Sequence, residues 1–183
     1  MSDITSAAST LQEIVETLGN IYTDPGQYVA QLTYLITQYG YDVNTQSVLA
    51  TSYDPVFALA RRTCLEAIYR AEPSVTWSSS TDAYNFRDTI LPMFTAEITY
   101  AGQTNETDIF EYFNNAIAEI SLDIQTRGYG LPDITTYTTK TSLPPCVIAQ
   151  QLYGDGTRDD ELIMRNAPIR PLFMDLTNEV LSR

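Results

Sequence analysis

Histidine is absent from the 183-residue chain. The usual general base of neutral pH and the commonest zinc ligand are therefore missing, and with them every Ser-His-Asp or Cys-His nucleophilic arrangement. What remains for chemistry is two thiols, 23 carboxylates and 13 tyrosine hydroxyls. Cys64 and Cys146 lie far apart, form no CxxC spacing and sit beside apolar residues, so both are expected as buried thiols, with nothing requiring a bridge between them. Glu97, Glu111 and Glu119 could supply a carboxylate pair for glycoside cleavage, but on helices of this composition they are expected to solvate outer faces. The acids of Asp155–Glu161 lack the alternate spacing, central glycine and distant glutamate of a calcium loop. They read as a turn followed by a helix start, where the helix dipole favours anions. No catalytic residue, cofactor or metal is expected.

Charge narrows the partners. Ten Lys and Arg against 23 Asp and Glu leave a formal net charge of −13, a field that repels phosphate backbones and anionic membrane surfaces. The nearest basic cluster, Arg61-Arg62 with Arg70, is expected to solvate one helix face. No apolar run of membrane-spanning length occurs, and Met1-Ser2-Asp3-Ile4-Thr5 lacks the basic start and apolar stretch of a signal peptide. The expectation is a soluble, unexported chain with no direct nucleic-acid or membrane partner. With 44% apolar residues, a chain of this length builds a core without staples.

The elements that would position these groups are mainly helical over the first two thirds. Ser9 to Gln12 has capping-box spacing before Leu11-Ile14-Val15-Leu18, with a start as early as Thr5 also compatible and a stop at Gly19-Asn20. Asp24-Pro25 places an N-cap carboxylate before a proline at the first helical position, and Tyr28, Leu32, Leu35 and Tyr39 then draw a stripe ending at Gly40. Asp54-Pro55 repeats the device ahead of Phe57, Cys64, Leu65 and Ile68, and Glu72-Pro73 ends that helix. A polar loop around Trp77 follows. A helix from about Asp82 to Ala101 shows Phe86, Ile90, Met93/Phe94 and Ile98, and Pro92 within it is expected to kink or split it. Ile109, Phe113, Ala116/Ile117, Ile120 and Ile124 keep helical period until Arg127-Gly128-Tyr129-Gly130-Leu131-Pro132. Five such stripes must bury against one another as a helical bundle.

Beyond Pro132 the texture changes. Ile134–Thr139 is β-branched and aromatic, which predicts a strand. A short helix from Val147 to Tyr153 ends at Gly154. Thr157 is expected to cap a second short helix through Arg165, closed by Asn166 and Pro168. Phe173 to Leu181 reads as extended, with Leu176, Val180 and Leu181 inward. The fold class expected is mainly α: a helical domain over 1–130, then a small α+β unit of βααβ order over 131–183.

In this last third Thr136-Tyr137, Leu143, Ile148-Ala149, Leu152-Tyr153-Gly154-Asp155-Gly156, Glu161-Leu162-Ile163 and Asn166 resemble a LysM module, including its Tyr-Gly-Asp turn between two helices. Arg127-Gly128-Tyr129-Gly130-Leu131-Pro132, then Leu143-Pro144, then Leu152 through Asn166 is similar to the C-terminal region of Mu-like phage tail proteins, a family known as DNA-circularisation proteins. The similarity covers Asp82 to Arg183. The His-Pro pair common after the terminal Asn of that family is Ala167-Pro168 here.

The resemblance implies a LysM-like C-terminal module in a non-enzymatic structural component of a tailed bacteriophage, placed in the tail tip or baseplate. Its partners would be other tail or baseplate proteins (tube, hub or sheath-initiating) in a multi-copy symmetric assembly. It would reside in the virion, and in the host cytoplasm during assembly. It carries over Tyr137, Tyr153, Gly154, Asp155, Arg158 and Asn166 as partner-binding positions. The family name suggests DNA, whereas the charge argues against direct contact. Sugar-binding LysM modules carry Gly-Asp-Thr in the first loop, where this chain has Thr141-Ser142-Leu143-Pro144-Pro145. The alternative is a peptidoglycan-binding accessory of the cell-wall penetration apparatus.

Overall fold

The computed structural model describes residues 2–182. It is mainly helical, with two small antiparallel strand pairs among the described residues. Contacts divide the chain into two units. One comprises the residues up to Trp77 together with Ala83–Arg127, the other Ser78–Asp82 together with Gly128–Arg183.

The first unit is built from α1 (Ser2–Ile21), α2 (Pro25–Gln38), α3 (Pro55–Ala71), most of α4 (Ser80–Gln103) and α5 (Thr107–Gly128). The Asp-Pro devices behave as their chemistry demands. Asp24 accepts from the Gly26 N–H at 2.9 Å and Asp54 from the Val56 N–H at 2.7 Å, each with proline in the first turn. The start of α1 differs from the capping-box expectation. Ser9 and Thr10 lie inside the helix, their hydroxyls donating to the Ser6 carbonyl, and the helix runs past Gly19-Asn20 to Ile21. The stripe of α2 is rotated: Val29, Leu32 and Ile36 are buried, whereas Tyr28, Leu35 and Tyr39 are half-buried. In α3, Cys64, Leu65 and Ile68 are buried, while Phe57 stays exposed against the Tyr39 ring. α4 runs unbroken from Ser80 to Gln103, so Pro92 does not split it. Ile90, Met93, Phe94 and Ile98 meet Phe113, Ala116, Ile120 and Ile124 of α5 in the same core cluster. Burial of each large apolar side chain there contributes about 1.5–3 kcal/mol.

A feature the sequence reading missed is the hairpin β1 (Tyr41–Asp42) and β2 (Ser47–Val48). It follows Gly40, whose φ is +92° and where an added Cβ would lie 2.2 Å from that of Ser52, so only glycine fits.

The basic pair does not solvate a helix face. Arg61 and Glu97 are each only 1% exposed, with Arg61 Nε donating to Glu97 Oε2 at 2.8 Å and Nη1 to the Tyr39 carbonyl at 2.9 Å. Arg62 Nε donates to the other oxygen of Glu97 at 2.6 Å, and its Nη1 pairs with Glu106. Both guanidinium groups lie over the Tyr100 ring, at 5.1 and 5.6 Å from its centroid. The expectation of solvated faces thus fails at Arg61, Arg62 and Glu97, because a double arginine and a glutamate on facing helices neutralise one another inside. Arg70, Glu111 and Glu119 remain exposed.

The second unit holds β3 (Ile134–Thr138), α6 (Pro145–Tyr153), a 3-10 turn Gly156–Arg158, α7 (Asp159–Asn166) and β4 (Thr177–Leu181). β3 and β4 are antiparallel, with Thr136 opposite Glu179. Ile148, Ala149, Leu162, Met174 and Val180 form its own small core. Three expectations are corrected here. Thr157 is not a helix cap, because Asp155 caps the 3-10 turn and α7 begins at Asp159. Leu176 is 51% exposed, Met174 and Asn178 taking the inward places before Val180. Cys146 is exposed and only Cys64 is buried; both thiols are free.

Candidate functional site

The residues carried over as partner-binding positions all lie in the second unit, and each has a local partner. Gly154 ends α6 in the left-handed region at φ +71°, its N–H donating to the Gln150 carbonyl at 3.1 Å. The Asp155 carboxylate next to it accepts from the Thr157 hydroxyl at 2.7 Å and its N–H at 2.9 Å, bonds that hold the Asp155 carboxyl below the usual range. Tyr153 faces both ways. Its hydroxyl accepts the Leu181 N–H at 2.9 Å, and its ring carries the Arg158 guanidinium 3.9 Å from its centroid. Arg158 also donates to Glu161 at 3.0 Å through Nε. Asn166 holds the backbone of Glu179 through both amide atoms. Tyr137 packs on the core, its hydroxyl directed at Gln151 at 3.4 Å.

The six positions therefore tie the two helices and β4 into one unit. The outward surface is supplied by other residues. Along α7 and the connection to β4, Met164 is 83% exposed, Ile169 98%, Leu172 76% and Phe173 53%. Arg170 stands among them, and no acid occurs from Leu162 to Met174 in a chain of net charge −13. Pro168 and Pro171 limit the freedom of that connection, so less entropy is lost on ordering it against a partner. Sequence reasoning placed Met164 in the second short helix and Phe173 in the extended segment, and passed over Ile169–Leu172, which has neither helical nor strand period. The acid-free run of apolar residues around Pro168 and Pro171 was the available signal.

The connection between β3 and α6, which would line a carbohydrate site, is tied to the chain on the far side. The Met174 N–H donates to the Leu143 carbonyl at 2.9 Å, the Ser142 hydroxyl to the Met174 carbonyl at 2.7 Å, and the Thr139 hydroxyl to the Thr141 carbonyl at 2.9 Å. Three of its polar groups are thus engaged internally, and Pro144 and Pro145 offer no N–H.

In the first unit, two features could act chemically. Glu72, 2% exposed, is bonded by Arg127 Nη2 at 2.5 Å; the same guanidinium reaches the Val75 carbonyl at 2.6 Å and Asp123 at 2.6 Å, and lies 4.2 Å from the centroid of the Trp77 ring. Burial, and then the neighbouring Asp123 carboxyl, push Glu72 up to about 7. Trp77 is half-buried against Phe86. The second feature is a groove of about 590 Å³ bordered by Val15, Tyr28, Leu59, Glu66, Ala67 and Arg70. Among the described residues no group of three or more His, Cys, Asp or Glu is arranged to hold a metal ion, and no helix is long and apolar enough to cross a membrane.

Neither the protein-family models nor the curated proteins contain a match to this chain.

Proposed function

We propose that this chain is a non-enzymatic structural component of a tailed-phage tail tip or baseplate, and that its C-terminal unit is a LysM-like docking module. The observation that carries the reading is the exposed apolar connection Ile169–Phe173 on a unit that has its own core. Contiguous exposed apolar side chains with one cation suit a protein surface better than a sugar or a phosphate. The order β3, α6, α7, β4 around the Tyr153-Gly154-Asp155 turn supports the LysM-like comparison, and the similarity to Mu-like tail proteins supplies the setting. The first unit then packs as a helical bundle that contributes to a multi-copy assembly of tail proteins.

The internally bonded β3–α6 connection favours docking over peptidoglycan binding. Two measurements separate the readings. The protein should copurify with intact particles, and a purified sample should stay in the supernatant when mixed with sacculi. Retention on sacculi, or absence from particles, overturns the proposal.

A further inference from the structure

The two outer edges of the β3–β4 ribbon are treated differently. The Ser182 N–H donates to the Asp133 carbonyl and the Thr139 N–H to the Leu176 carbonyl, both at 2.7 Å, which fixes which residues face each other through ladder bonds. Because bonded pairs alternate along an antiparallel ladder, the N–H and C=O groups of Thr177, Glu179 and Leu181 point away from β3. Those of Ile134, Thr136 and Thr138 likewise point away from β4. On the β4 side, Asn166 takes both groups of Glu179, and the Tyr153 hydroxyl takes the Leu181 N–H. On the β3 side, none of the three outward N–H or C=O pairs is hydrogen-bonded among the described residues, and Thr136 and Thr138 are exposed.

Exposed edges in soluble proteins are ordinarily blunted by charge, proline or a bulge, because a row of open donors and acceptors recruits another strand. Ile134–Thr139 carries no charge, no proline and no glycine. We propose that the free edge of β3 pairs with β3 of a second copy of this chain, antiparallel about a two-fold axis at Thr136. This surface is separate from the apolar connection on which the proposed function rests.

Three features select a second copy as occupant. First, the pattern is self-complementary. With Thr136 opposite Thr136 of the partner subunit, Ile134 faces Thr138 of the partner subunit and Tyr137 faces Thr135 of the partner subunit. These are the β-branched and aromatic pairs that stabilise cross-strand contacts, and the same residues serve both sides, as an isologous interface requires. Second, the outward backbone groups of positions 134, 136 and 138 meet their own counterparts in this register, so every open donor finds an acceptor. Third, no acid faces an acid across this register. Asp133 precedes the strand and Lys140, the only lysine in the chain, follows it. Antiparallel pairing sets Asp133 opposite Thr139 of the partner subunit and Lys140 opposite Pro132 of the partner subunit at each end. Few surfaces on a chain of net charge −13 allow two copies to meet without acid facing acid. The product is a four-stranded sheet, which is more stable than the two-stranded ribbon alone.

Sedimentation velocity of the full chain, from micromolar to near-millimolar concentration, tests this. The expected result is a concentration-dependent doubling of mass. Thr136→Pro should abolish it, since the Thr136 N–H faces outward and its loss removes no bond of the β3–β4 ladder. Thr136→Lys sets two cations across the axis and should weaken association by at least about tenfold, and mixing it with Thr136→Glu should restore the dimer. The charge pair keeps the test decisive if the proline variant fails to fold. A chain that stays monomeric throughout, or a dimer indifferent to Thr136→Lys, overturns the proposal. Particle copurification reads out the proposed function separately, so either can fail alone.

Discussion

The side-chain amide of Asn166 grips the backbone of Glu179 at both ends. Nδ2 donates to the carbonyl at 2.9 Å and Oδ1 accepts the N–H at 2.7 Å. One side chain thereby takes the place of a neighbouring strand at the centre of the outer edge of β4, and joins the end of α7 to the ribbon.

Replacing Asn166 by Ala leaves both Glu179 groups to solvent and removes the tie between α7 and β4. A loss of about 1–2 kcal/mol from the second unit is expected. Amide hydrogen exchange at Ile148 and Val180, both inside that unit's core, should accelerate about tenfold or more, with core amides of the first unit unchanged.

The Arg61–Glu97–Arg62 cluster sets a second expectation. Glu97→Leu strands the 1%-exposed Arg61 guanidinium without its counter-charge, and a loss of about 3–5 kcal/mol follows. Combining it with Arg61→Met should recover part of that loss, because the uncompensated charge goes with its partner. Urea denaturation followed at Trp77 measures both variants; an additive double mutant would contradict the coupling.

Glu72 gives the first unit a pH dependence of defined sign. Its folded pKa, about 7, lies above its ordinary value of 4.5, so the folded state binds more protons between those limits. The contribution of Glu72 is therefore fully present below pH 4.5 and is lost as pH rises through about 7. Stability should fall by about 1–3 kcal/mol from pH 5 to pH 8. Glu72→Gln should flatten that trend and raise stability at pH 8. Trp77 is the only tryptophan and lies under the Arg127 guanidinium that binds Glu72, so its fluorescence reports on this site.

The thiols should differ in reactivity. Burial pushes Cys64 up to about 12, whereas Cys146 is exposed. A thiol reagent at pH 8 should modify Cys146 in the folded protein and Cys64 only after unfolding.

Local rules carried much of the fold. The Asp24-Pro25 and Asp54-Pro55 starts, the period of α5 and the Gly154 stop each depend on neighbours within a few residues, and all appear where the sequence places them. What depended on distant partners was not legible. Arg61 and Arg62 read as surface charges because Glu97, 36 residues from Arg61, neutralises them only after folding. Leu176 read as inward because the composition suggests an extended segment from Phe173, whereas β4 begins only at Thr177. The hairpin at Tyr41–Val48 was hidden because its strands are two residues each, too short for any alternation to show. The outward surface of the second unit lay in the aperiodic Ile169–Phe173 stretch, where no period marks it.

The most direct test of the docking role is an electron-microscopy reconstruction of the intact particle with this chain placed in density. The expected map shows multiple symmetric copies in the tail, with Ile169, Leu172 and Phe173 covered by a different tail protein. Those three side chains facing open solvent in every copy, or no copy in the particle, would contradict the assignment.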